Sequence, residues 1–239
     1  MIYFYDGTET GFLTALAASF SDEEAVLAVG EKQLALGQEA VFVRSDQRRA
    51  EKIRARLLSF DKDCMKELNY LLRSGDEDRD AVAFAYFRLL AQKKRPIRGM
   101  YAFDPVLAAQ ECIRRIRTEL DRMRGFVRFM ESQSGALYAP LTPDHDIVDL
   151  LLPHFRARLP RFPFVLHDVK RKKAAVYDGA HTFFAPLEHA EVLLSANEND
   201  WQALWKEYFK SVNIPSRERL KQQRGYLPVR YRKFMPEFP

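Results

Sequence analysis

Residues 104–130, DPVLAAQECIRRIRTELDRMRGFVRFM, decide the fold class, because the period of their apolar positions changes partway along. Asp104 followed by Pro105 sets a capping residue ahead of the residue favoured at the first helical position. Val106, Ala109, Ile113, Ile116, Leu120 and Met123 then recur at intervals of 3, 4, 3, 4 and 3, the signature of a core-facing helix. Gly125 can terminate it. Beyond that point FVRFMES (126–132) and ALYAPL (136–141) read as two strands around a Gln133-Ser134-Gly135 turn.

Working outward, residues 147–159 are helical with Pro153 inside, which predicts a kink or an early stop. PFVLHDV (163–169) and KAAVY (173–177) are strand-like, and Asp178-Gly179 before HTFF is a hairpin signal. The middle of the chain therefore reads β-β-α-β-β-β. Asp200 is expected to cap a last helix with Trp201, Leu204, Trp205, Tyr208 and Phe209 on one face, its rings anchoring it to the core. Toward the N-terminus, IYFY (2–5) and AVFV (40–43) are strand candidates. A helix is predicted from Thr10, a second capped by Ser45, and two more on either side of the polar connector 73–80. The expected class is α+β: a helical N-terminal half with short strands, a small antiparallel sheet with one crossing helix, then a C-terminal helix and basic tail. KKRPIRG (93–99) suggests an inner boundary, giving segments 1–98, 99–199 and 200–239 of one compact unit.

The 239 residues are 47% hydrophobic and 30% charged, which suits a folded protein with a real core. Two cysteines, Cys64 and Cys112, make no disulfide framework and suit a reducing compartment. They also lack the CxxC spacing of zinc or iron–sulfur sites. Asp6 and Glu9 interrupt any leader-like start, and no apolar run approaches the ~20 residues needed to span a bilayer, so a soluble cytoplasmic protein is expected. P-loop, GxGxxG, GxSxG and HExxH motifs are missing, and no cofactor is expected.

Charge is unevenly distributed. The net charge is +5, but residues 201–239 carry nine Lys/Arg against three Glu, leaving −1 for residues 1–200. Arg217, Lys221, Gln222, Arg224, Arg230, Tyr231, Arg232 and Lys233 supply cations, a polar amide and a ring. Such an end is suited to a polyanion, since each neutralised phosphate releases counterions and an exposed ring can stack on an unpaired base. Lys170 and Arg171 can extend the basic surface.

The order of residues adds to this. LWKEYFKSVNI (204–214), Arg217, Lys221-Gln222 and LPVRYRKFMPE (227–237) resemble the C-terminal signature of a bacterial family, a domain of unknown function associated with DNA metabolism and DNA repair. YFYDGTETGFLTAL (3–16) resembles the same family's opening, so the likeness covers nearly the whole chain. Members are encoded beside a radical-SAM enzyme of DNA repair or modification and occur fused to uracil-DNA-glycosylase-like domains. The resemblance thus implies DNA, and those two proteins, as partners. The family signature places Trp where this chain has Arg232, a change that favours phosphate contact. Where relatives carry Asn-Pro-Lys, Glu218-Arg219-Leu220-Lys221 keeps only the Lys.

Catalytic candidates are sparse. His167 and Asp168 could form a base and its orienting carboxylate, but neighbours on a strand point to opposite faces. Asp144, in PDHDIVD (143–149), is a further carboxylate candidate. That segment, with His145, Asp146 and Asp149, could suggest metal ligands and reads more simply as a helix start capped by Asp144. No metal is expected. Three functional readings follow: a nucleic-acid-binding accessory protein, an enzyme acting on DNA through His167, Asp168 and Asp144, and a scaffold whose tail docks an acidic protein.

Overall fold

Contacts divide the chain into two compact units, Met1–Arg117 and Thr118–Pro239. The computed structural model describes residues 1–30, 39–214, 216 and 219–238. Arg217 and Glu218 lie outside the described residues.

In the first unit, the apolar run β1 (Ile2–Tyr5) is the middle strand of a parallel sheet ordered β2-β1-β3, flanked by β2 (Val26–Val29) and β3 (Ala40–Phe42). Asp6-Gly7 ends β1, with Gly7 at φ +79°. Helix α1 (Glu9–Ala18) starts at Thr8, whose hydroxyl accepts from the Gly11 N–H. Asp6 Oδ1 accepts from the Thr8 N–H at 3.0 Å and hydroxyl at 2.7 Å, and Oδ2 from Ser45 at 2.6 Å. Burial opposes ionisation of Asp6, but these hydrogen bonds outweigh it and hold the carboxyl below the usual carboxylate range. Because Ser45 is engaged there, Asp46 instead caps α2 (Gln47–Phe60), accepting from Arg49.

Helices α3 (Cys64–Leu71) and α4 (Arg79–Lys93) complete the set before α5 (Asp104–Phe126), within which the boundary between units falls. KKRPIRG lies inside the first unit, where Lys94 takes a left-handed conformation that ends α4 and Ile97 is buried. Phe12, Leu13, Leu68, Leu71, Phe87 and Leu90 form the core, with Phe12 edge-on to Phe87. A buried carboxylate organises the polar side: Glu67 accepts from the hydroxyl of Tyr86, from Arg98 at 2.6 Å and from Gln110 at 3.1 Å.

Both cysteines are buried here. Burial, reinforced by the charges of Asp61 and Glu67, pushes the Cys64 thiol up to about 12, and burial raises Cys112 as well. A thiol reagent at mildly alkaline pH is therefore expected to react only as the unit opens, with labelling that follows denaturant-induced unfolding. Rapid labelling of the native protein would contradict this packing.

The second unit follows the expected β-β-α-β-β-β order. β4 (Met130–Glu131), β5 (Leu137–Leu141), β6 (Phe164–Asp168), β7 (Lys173–Tyr177) and β8 (Thr182–Pro186) form one sheet in sequence order. Gly135 and Gly179 supply the positive φ values, +79° and +102°, required by the turns at 133–135 and 178–181. One pair departs from an antiparallel sheet. β5 and β6 run parallel, because α6 (Val148–Arg158) crosses between them. α6 runs through Pro153 without stopping and buries Val148, Leu151, Leu152 and Phe155. Phe129 packs edge-on to Phe155 and Phe164 beneath the sheet.

Helix α7 (Glu198–Ser211) begins two residues before Asp200, with Asn197 at its cap. Helix α8 (Leu220–Tyr226) and a 3-10 helix (Val229–Phe234) close the unit. The α+β class holds throughout. No helix among the described residues is long and apolar enough to cross a membrane.

Candidate functional site

The basic tail is attached by one face. Leu227, Tyr231 and Met235, spaced four apart, are buried. Tyr231 was expected to offer a ring to a base, but it is 7% exposed, and its hydroxyl donates to Glu119 at 2.6 Å. Burial, then the Glu119 carboxylate, raise its phenol well above the ordinary value. Glu119, 3% exposed, also accepts the backbone N–H groups of Asp144 at 2.7 Å and His145 at 2.8 Å. The loop after β5 and the tail are thus tied to one carboxylate.

Around this lock the structure gathers several predicted residues. Arg230 pairs with Asp144 at 2.8 Å and lies 4.7 Å from the centre of the Tyr231 ring. Arg171 pairs with Asp168 at 2.9 Å and donates to the carbonyls of Pro143 and Asp144. Asp146 pairs with Lys173. Asp144 does not cap α6, which starts only at Val148 with Ile147 at its cap; the Arg230 guanidinium holds it instead.

His167 is not brought into this group. Its Nε2–H donates to the Leu187 carbonyl at 2.9 Å, which leaves Nδ1 to accept from the Tyr138 hydroxyl at 2.6 Å. His167 and Asp168 therefore have separate partners, as strand alternation requires.

The other predicted contact residues lie more openly. Lys221, Gln222 and Arg224 are exposed on α8, and Lys170 is exposed in the β6–β7 turn. Arg232 donates to the Leu227 carbonyl at 3.2 Å and lies 4.6 Å from the centre of the Phe238 ring. Lys233 is exposed beside Phe234.

Lys233 also lines the largest cavity described in this unit, a groove of about 830 Å³. Phe129, Trp201, Trp205, Phe234 and Phe238 supply its rings, and Arg128, Arg158, Lys206 and Lys233 its positive charge. Trp201 is 55% exposed, Trp205 37% and Tyr208 55%, which corrects the expectation that these rings anchor α7 in the core. The helix is held by buried Glu198 and by half-buried Phe209, whose ring lies edge-on to that of Phe238 at 5.6 Å. Buried Glu198 accepts from the Glu131 N–H at 2.8 Å and from Gln202 at 2.9 Å.

Arg128 bridges two parts of the wall. Its Nη2 pairs with Glu237 at 2.6 Å, and its guanidinium carbon lies 5.2 Å from the Trp205 ring centre. Among the described residues Arg158, Lys206 and Lys233 form no ion pair. Sequence reasoning did not place Arg128, Arg158, Lys206 or the two indoles in a site. They come from the segment between α5 and β4, from α6 and from α7, and no local pattern links those segments.

An α+β protein with a ring-lined, cationic groove in its second unit is the class that fold and site define. The chain belongs to the DUF4130 family, a domain of unknown function, whose match covers residues 77–237. No curated protein and no solved structure matches the chain.

Proposed function

We propose that this protein binds nucleic acid as an accessory in DNA repair or DNA metabolism, working with a radical-SAM enzyme of DNA modification or repair. A uracil-DNA-glycosylase-like protein is the second partner implied by the sequence resemblance. The observation that carries the reading is the groove of the second unit, where Arg128, Arg158, Lys206 and Lys233 stand among exposed rings. The excess of cations over residues 201–239 and the likeness of residues 204–237 to the family signature support it. Lys221, Arg224 and Lys170 are exposed and can add phosphate contacts. Arg230 and Arg171 contribute less, because each already neutralises a carboxylate of its own unit.

Titration of the purified chain with labelled DNA tests the reading. If Arg158, Lys206 and Lys233, the groove cations without an ion pair among the described residues, each neutralise one phosphate, affinity should fall about 20- to 40-fold between 50 and 200 mM salt. Replacing Lys206 and Lys233 by alanine should flatten that dependence. Absence of binding at low salt, or binding indifferent to salt, would refute the proposal.

A further inference from the structure

We infer that the groove of the second unit is a site for single-stranded nucleic acid, whose unpaired bases stack on Trp201 and Trp205; this rests on the nucleic-acid reading above. The rings and cations differ in what they can reach. A duplex presents phosphates on a convex outer surface and keeps its base faces covered within the stack, so it can engage the rim charges but not ring faces inside a concavity. A single strand exposes both its backbone and the faces of its bases, and aromatic rings interleaved with cations match that combination.

The groove has the features such a strand requires. Its 830 Å³ can admit bases, and both indoles stay substantially exposed without a partner ring from the core. Arg128 steadies Trp205 through the cation–ring contact while its charge is anchored by Glu237. The groove's two carboxylates are turned to internal use. Glu198 holds Glu131 N–H and Gln202, and Glu131 accepts from the Ser195 hydroxyl at 3.2 Å. The groove cations left without an ion pair among the described residues, and so able to face a strand, are Arg158, Lys206 and Lys233.

The chain has two tryptophans, and both line this groove, so its intrinsic emission reports on the site directly. Oligothymidylate is expected to quench that emission and to bind at least tenfold more tightly than a hairpin duplex with the same number of phosphates. Trp201→Ala should weaken binding of the single strand about 5- to 150-fold, with Trp201→Phe recovering most of the loss. Salt-dependent binding that leaves the emission unchanged, or that is as tight for the duplex, would overturn the stacking assignment while sparing the nucleic-acid reading. Failure of every nucleic acid to bind would overturn both. Equal quenching by an acidic peptide such as oligoglutamate would also overturn it, making the groove a peptide site.

Discussion

Glu119→Ala is expected to destabilise the second unit by about 3–5 kcal/mol, the larger of two effects predicted at buried carboxylates. Three donors converge on Glu119: the Tyr231 hydroxyl and the backbone N–H groups of Asp144 and His145. The site is 3% exposed, so water cannot readily replace the lost acceptor. Each stranded donor costs roughly 1–3 kcal/mol. Glu119→Gln keeps one acceptor oxygen but turns an amide N–H₂ toward a donor, so its cost should be smaller. Urea denaturation followed by tryptophan emission measures this, because Trp201 and Trp205 both belong to the second unit. A loss below ~1 kcal/mol for the alanine variant would mean that the lock is dispensable.

Glu67→Ala should cost the first unit about 2–4 kcal/mol. Glu67 is 1% exposed and accepts from Tyr86, Arg98 and Gln110. The Arg98 side chain is 45% exposed, so solvent takes up much of its lost interaction. Most of the cost comes from the fully buried Tyr86, whose hydroxyl would be left without an acceptor. Tyr86→Phe removes that hydroxyl together with its need for a partner, and should cost no more than about 1–2 kcal/mol. Cys64 and Cys112 lie in this unit, so the rate of thiol labelling in dilute denaturant reads the change locally. Unchanged protection in the alanine variant would count against the network.

The elements most legible in the sequence were those whose signal is local. The 3-4-3-4-3 stripe of α5 and the Asp178-Gly179 turn needed only near neighbours to be understood. β2 went unread because VLAV at 26–29 is a run of four whose strand character depends on pairing with β1. The parallel β5–β6 pair followed from a crossover helix that was itself predicted, yet the orientation of the pair was not drawn from it. Ser45 and Asp46 are both good caps; the tertiary contact with Asp6 decides which one serves α2.

The candidate site was less legible for a physical reason. Periodicity identifies which residues of a helix share a face, but says nothing of what that face meets. The Trp201–Trp205–Tyr208 face of α7 was read as a core anchor, whereas it meets a groove and solvent. In the tail the error ran the other way. Tyr231 was read as an exposed ring, yet a buried carboxylate more than a hundred residues earlier in the chain claims it.

That last contact bears on biosynthesis. Tyr231 follows Glu119 by 112 residues, an interval that takes a ribosome about 6–20 s to translate. Throughout that time the nascent second unit is unsealed, its loop donors and apolar tail-binding surface unmatched. A chain stalled before residue 231 is therefore the species on which holdase chaperones and proteases would act.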